Sequence, residues 1–316
     1  MRKKILLLFF VLFFSIQASF SDDNIGNNPP EIFTGTSVEL NNLKIKESLN
    51  LKKNGKSVSS KNWMIVTANA YASAAGAKIL QSGGTAADAM VAAQSVLGLV
   101  EPESSGIGGG SFLLWYDGLT GKITTLDGRE TAPQNSTSNQ FQNRDGTKMK
   151  FFDAVIGGLS VGTPGTLALM HEAQTKWGNQ SWTILFDEAI FLGKNGFSVS
   201  KKLSSSIERD KNRLSKIEKT KEYFLPNGDS LKHKQILKNP AYASTMQNIA
   251  NNSINDFYKG SIAQDIINTV NNYTKNPGFL GLEDLNSYSV IERDPVCINY
   301  KLYDICGMGP PSSGGV

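Results

Sequence analysis

Cysteine and histidine are scarce, two of each among 316 residues. That supply cannot assemble a structural zinc site at the usual Cys/His spacing, and the residues call for no metal or other cofactor. Charge of one sign is equally lacking. Lys+Arg total 32 against 28 Asp+Glu, a formal net charge of +4, too small and too mixed for a nucleic-acid-binding or anionic-membrane surface. The apolar run Ile5–Phe14 is about ten residues, short of the roughly 20 that a membrane-spanning helix needs. His171 falls on a helical pattern and His233 in a Lys-rich loop; neither is read as part of a Ser-His-Asp triad. What the chain does have is apolar material, 40% hydrophobic against 19% charged residues. That excludes disorder as a description of the whole and allows a sizeable core.

The first 21 residues carry Arg2, Lys3 and Lys4, then the apolar run, then small residues at Ala18, Ser19 and Ser21. This is the pattern of a cleavable signal peptide over 1–21, which predicts a periplasmic or secreted protein without a stable membrane anchor. Its removal takes three positive charges and no negative ones, so the net charge falls from +4 to +1. Residues 22–61, rich in Asn, Lys and Ser, read as a polar arm, extended or weakly ordered. The globular pattern occupies 62–316.

Within it, Met64–Thr67 reads as a short strand, followed by an Ala-rich helix from Tyr71 to Gln81 that Gly83-Gly84 ends. A second, largely buried helix is predicted from Thr85 to Val100, where Ala86, Ala89, Met90, Ala93, Val96, Leu97 and Val100 recur at helical spacing. Ser111–Tyr116 and Lys122–Asp127 read as strands joined by a tight turn, and Ala154–Val161 as another strand. A helix is expected to open at Thr163-Pro164, with Thr163 as its N-cap, and to end at Gly178. The charged stretch Lys201–Lys221 reads as a solvated helical or loop excursion. Helices interleave with strands joined by tight turns, which predicts an α+β fold of helical layers on mainly antiparallel sheet.

Three features bear on chemistry. The run Ser104–Ser111, SSGIGGGS, has a helix before it and a strand after it, the reverse of a dinucleotide fingerprint, and lacks the Gly-Lys-Ser/Thr of a phosphate loop. It reads instead as backbone closely approaching another backbone or a ligand. Arg129, in LDGRETAP, is either a surface residue or a fork of donors for a carboxylate, with Asp127 and Glu130 as neighbours that could hold it. Cys297 and Cys306 lie on a predicted hairpin, Val296–Met308. A two-residue turn at Lys301-Leu302 sets Cys297 opposite Cys306 in a non-hydrogen-bonded pair, with Cα atoms about 4.5 Å apart. That is within reach of a disulfide in an oxidising compartment, although Lys-Leu lacks the Gly or Asn such turns favour. The Asn-x-Ser/Thr sequons at Asn135, Asn179, Asn251 and Asn272 are given no function.

Longer stretches carry a resemblance. NWMIVTANAYASAAGAKILQSGGTAADAMVAAQSVLGLVEPESSGIGGGSFLLWYD, LDGRETAP, GGLSVGTPGTLALMHEAQTKWG, FLGKNGFSVS and GLEDLNSYSVIERDPVCINYKLYDICGMGPPSSGGV together resemble the γ-glutamyltranspeptidases. The resemblance covers about Asn62 to Val316 and is weakest over roughly 200–275. It implies the large-subunit portion of an N-terminal nucleophile hydrolase, an αββα sandwich, whose precursor cuts itself before a threonine. The threonine would then transfer a γ-glutamyl group from glutathione or a related donor to water or an acceptor amine. Arg129 matches the arginine that binds the donor's α-carboxylate. No threonine of this chain matches the nucleophile, so the resemblance places it downstream of Val316, on a small subunit from the same precursor, and implies that this chain alone is inactive. A related acylase (cephalosporin acylase or poly-γ-glutamate depolymerase) and a non-catalytic truncated binding protein are the alternative expectations.

Overall fold

The computed structural model describes residues 43–315; the leader assigned to 1–21 and the first part of the polar arm lie outside them. Along the chain, α1 (Leu43–Lys53), α2 (Ala70–Gln81) and α3 (Ala86–Val100) precede the hairpin of β1 (Ser111–Tyr116) and β2 (Ile123–Gly128). After a long connection come α4 (Phe151–Val155), α5 (Thr166–Trp177), α6 (Asp187–Asn195), β3 (Phe197–Ser198), α7 (Lys201–Leu214) and α8 (Glu218–Phe224). β4 (Ile236–Leu237), α9 (Pro240–Asn252), α10 (Asn255–Lys259), α11 (Ser261–Asn271) and α12 (Leu282–Asn286) follow. β5 (Ile291–Arg293), β6 (Val296–Tyr300) and β7 (Tyr303–Gly307) close the series. Among the described residues all strand pairing is antiparallel, in a three-stranded sheet β1-β2-β5 and two two-stranded pairs, β3-β4 and β6-β7.

The predicted helix pair and first hairpin stand within a residue of where their spacing put them. α2 and α3 pack close because they present small residues: a Cβ at Gly76 would lie 3.0 Å from the Ala89 carbonyl oxygen. The start of α3 is a capping box. Thr85 Oγ1 accepts the Asp88 amide at 3.3 Å, and Asp88 Oδ2 accepts the Thr85 amide at 2.9 Å. The same oxygen also accepts the Asn179 amide at 3.0 Å, which ties α3 to the segment after α5. α5 in turn covers the sheet, with Leu126 of β2 fully buried against Leu169 and Ala173.

Several expectations are corrected. Met64–Thr67 forms no strand, because no neighbour offers it a ladder; Val66 is exposed and only Ile65 packs on the core. Ala154–Val161 is not a strand either: α4 runs to Val155 and the chain then turns through Gly157, whose φ of 117° suits no β-ladder. Thr163 does not cap α5, which begins three residues later with Gly165 at its N-cap; Thr163 pairs instead with Thr131 in an isolated bridge. The arm expected to be extended or weakly ordered contains α1, which buries no residue and sets Lys44 over the Trp63 ring. The expected solvated excursion over Lys201–Lys221, by contrast, holds and is helical, α7 and much of α8, with α7 burying only Leu203 and Ile207, one turn apart. Among the described residues no helix is long and apolar enough to cross a membrane.

Two consequences are testable. Asp88→Ala leaves the amides of Thr85 and Asn179 without their acceptor and should cost about 3 kcal/mol, read as a lower urea midpoint at unchanged slope, with Asp88→Asn milder. Burial also raises the phenol pKa of Tyr223 and Tyr288 to about 12, and that of Tyr242 and Tyr258 further still. The unfolded chain ionises these groups near 10.0 while the folded chain keeps them neutral. Their contribution is therefore intact below that pH and is lost as pH rises through the folded values. The melting temperature should fall steeply above about pH 10, with the ionisation of these four phenols, identified by Tyr→Phe difference absorbance, accompanying unfolding rather than preceding it.

Candidate functional site at the end of strand β2

Arg129 follows Gly128, the last residue of β2, and its peptide is held on both sides. Its amide donates to Asp127 Oδ1 at 2.9 Å, and its carbonyl accepts the Tyr288 hydroxyl at 2.8 Å. Asp127 is buried and its second oxygen takes Arg293 Nε at 2.8 Å. Arg293 ends β5 opposite Thr125, whose Oγ1 donates to its carbonyl at 2.6 Å, and its side chain reaches along β2 to Asp127. The Arg129 side chain is 60% exposed and, among the described residues, meets only Glu130, at 3.4 Å. With the guanidinium largely in solvent, so long a contact contributes about 0–1 kcal/mol, too little to keep it from a better-aligned carboxylate.

The glycine run lies directly beneath. The Gly109 carbonyl accepts the amides of Gly165 and Thr166 at 2.9 and 3.0 Å, joining the run to the start of α5. A Cβ at Gly110 would sit 2.8 Å from the Glu130 amide nitrogen, and one at Gly165 would sit 2.7 Å from the Gly128 carbonyl carbon. The run therefore serves close approach of backbone to backbone, and it places Glu130 against Gly110. Buried oxygens of Ser111, Glu130 and Thr163 in this region accept or donate no hydrogen bond among the described residues.

Of the neighbours expected to hold Arg129, Glu130 pairs with the guanidinium, whereas Asp127 holds the backbone and gives its charge to Arg293. Tyr288 and Arg293 were not singled out from sequence. They lie more than 150 residues further on (159 for Tyr288), and only their place in a shared motif block hinted at them.

Cys297 and Cys306 are directly opposed across the β6-β7 hairpin, Cα atoms 4.1 Å apart and sulfurs bonded. The turn is Lys301-Leu302 as expected, and Lys301 takes φ 56° in place of the favoured Asn or Gly. This hairpin is not joined to the β1-β2-β5 sheet by any strand pairing. His171 stands edge-on to Trp182, with its pKa pushed down by burial, and no group of three or more His, Cys, Asp and Glu among the described residues is arranged to hold a metal ion. The string Gly158-Leu159-Ser160-Val161-Gly162 has the spacing of a nucleophile elbow but not its setting: Ser160 is exposed in a turn and donates to the Val155 carbonyl at 2.9 Å.

Comparison with known proteins bears on the same residues. Residues 72–316 match the family model described as gamma-glutamyltranspeptidase. The glutathione hydrolase proenzyme of Bacillus subtilis subsp. natto is 38% identical over 256 residues, covering 81% of this chain and 43% of that protein. The chain thus spans less than half the length of this curated relative. The crystal structure of Helicobacter pylori gamma-glutamyltranspeptidase superimposes with a TM-score of 0.77 at 33% identity, covering 82% of this chain and 73% of that one. The transpeptidase CapD of Bacillus anthracis does so with 0.66 at 29% identity, covering 81% and 79%. These are N-terminal nucleophile hydrolases, and the α+β arrangement described above is the corresponding part of their fold. The chain belongs to the gamma-glutamyltranspeptidase family.

Proposed function

We propose that this sequence is the large-subunit portion of a precursor that becomes a γ-glutamyltransferase and glutathione hydrolase. In this reading Arg129 is the clamp for the α-carboxylate of the γ-glutamyl donor. The observation that carries it is Arg129 itself: a guanidinium left largely free at a sheet end while its peptide is fixed on both sides. A planar fork of donors on a rigid mount is what bidentate recognition of a carboxylate requires.

The chemistry divides between two parts of the precursor. This chain binds and orients the donor. A threonine downstream of Val316, freed as the first residue of the small subunit, supplies the nucleophile. Its hydroxyl attacks the γ-carbonyl, its own amine takes the hydroxyl proton, and the amide nitrogen leaves as an amine with a proton returned to it. Water or an acceptor amine then attacks the γ-glutamyl ester and releases the threonine. Glutathione is the expected donor and the small subunit the expected partner, and the leader 1–21 directs the protein to the periplasm or outside the cell.

The test is made on the complete, processed protein with a chromogenic γ-glutamyl anilide. Arg129→Lys should raise KM roughly thirtyfold, the lower end of about 2–5 kcal/mol for truncating a charged pair, because the site is partly exposed. An unchanged KM would remove Arg129 from the site, and a wild-type protein that cleaves no γ-glutamyl amide would overturn the reading as a whole. Export to an oxidising compartment carries a separate expectation. Non-reduced peptide mass spectrometry of the exported protein should find Cys297 linked to Cys306, and two free thiols there would exclude the bond.

A further inference from the structure

Arg129 projects from a peptide whose two hydrogen bonds differ in origin. The Asp127 carboxylate that accepts its amide is two residues away, so that bond comes with the local turn. The Tyr288 hydroxyl that donates to its carbonyl arrives from 159 residues along the chain, between α12 and β5. Because the largely solvent-exposed guanidinium meets, among the described residues, only Glu130 and at 3.4 Å, the direction in which it points is set by the backbone, and the backbone carbonyl is set by Tyr288.

Tyr288 is in turn held so that its hydroxyl has little choice. Its ring lies parallel to that of Tyr258, centroids 6.0 Å apart and planes 9° apart. Tyr258 is anchored by donating to the Pro164 carbonyl at 2.8 Å and accepting the Ala168 amide at 3.2 Å. On the other side the Tyr288 hydroxyl passes directly over Gly165, where any Cβ would collide with it. A phenylalanine would fill the same space and keep the stacking; only the hydroxyl reaches Arg129. Resting on the functional reading above, we infer that Tyr288 is a positioning residue for Arg129, fixing the peptide from which the carboxylate clamp projects. It is not a catalytic residue, since it touches no reacting atom.

The experiment uses the complete processed enzyme. Tyr288→Phe should raise KM for a γ-glutamyl anilide by about threefold to tenfold, the loss of one hydrogen bond, with kcat unchanged within about twofold, as for removal of uniform binding. Inhibition by free L-glutamate, which carries the same α-carboxylate, should weaken by the same factor. Tyr258→Phe is the control: it loosens the anchor at Pro164 and lowers the melting temperature, but its ring still stacks on Tyr288, so KM should rise by less than in Tyr288→Phe. Should Tyr288→Phe not mature, Arg293→Gln, which frees Asp127 at the other side of the same peptide, should shift KM and glutamate inhibition in the same direction by less. Unchanged KM and glutamate inhibition in Tyr288→Phe and Arg293→Gln with an active wild type would overturn the inference. So would a Tyr258→Phe protein whose KM rises as far as that of Tyr288→Phe. A wild type without γ-glutamyl activity would overturn the functional reading first, and this inference with it.

Discussion

One carbonyl sets the arrangement of the candidate site. Gly109 accepts amide protons from both Gly165 and Thr166, so the glycine run after α3 and the first turn of α5 are bound into one unit. This contact requires that the chain carry no side chain where the backbones meet, at Gly110 against Glu130 and at Gly165 against Gly128. Once α5 is fixed there, Leu169 and Ala173 cover Leu126, and β2 is held flat beneath the helix with its last residues leading into Arg129. Removing the close approach would separate the helix from the sheet end, and with it the scaffold that surrounds Arg129. The glycines therefore act through packing geometry and not through contact with a phosphate.

Polar groups finish what packing begins. Asp88 spends one oxygen on Thr85 and Asn179, linking the start of α3 to the end of α5. Asp127 does the corresponding work at the sheet end, between the Arg129 amide and Arg293. Glu101, almost fully buried at the C-cap of α3, is satisfied by Asn69 and by Lys202 of α7. Each of these carboxylates joins elements distant in sequence, and each is buried where an unpaired charge would be costly. The result is a rigid frame with a loosely held guanidinium at its edge, a division suited to binding a carboxylate that comes and goes.

Legibility in the sequence followed the range of the interactions involved. The β1-β2 turn and the register of the cysteine hairpin depend on neighbours a few residues away, and alternation with turn residues located both. The α2-α3 pair announced itself through alanine spacing and terminal glycines. Failures came where a segment's state depends on a distant partner. Met64–Thr67 has the composition of a strand and no strand beside it, and Ala154–Val161 is broken by Gly157 packing against Tyr273. Thr163 looks like an N-cap but is occupied by a bridge to Thr131.

By itself the sequence determined the helix pair, the two hairpins, the family and the choice of Arg129 as the residue to watch. Local periodicity, turn chemistry and matching motifs carry that information within short stretches of chain. The tertiary structure alone decided which distant groups stand around Arg129: that Arg293 takes the charge of Asp127 and that Tyr288 holds the Arg129 carbonyl. Those pairings follow from β5 returning to lie beside β2 and from Gly165 leaving room for a phenol. No property of a short window encodes them, because they exist only where segments far apart in the chain are packed together.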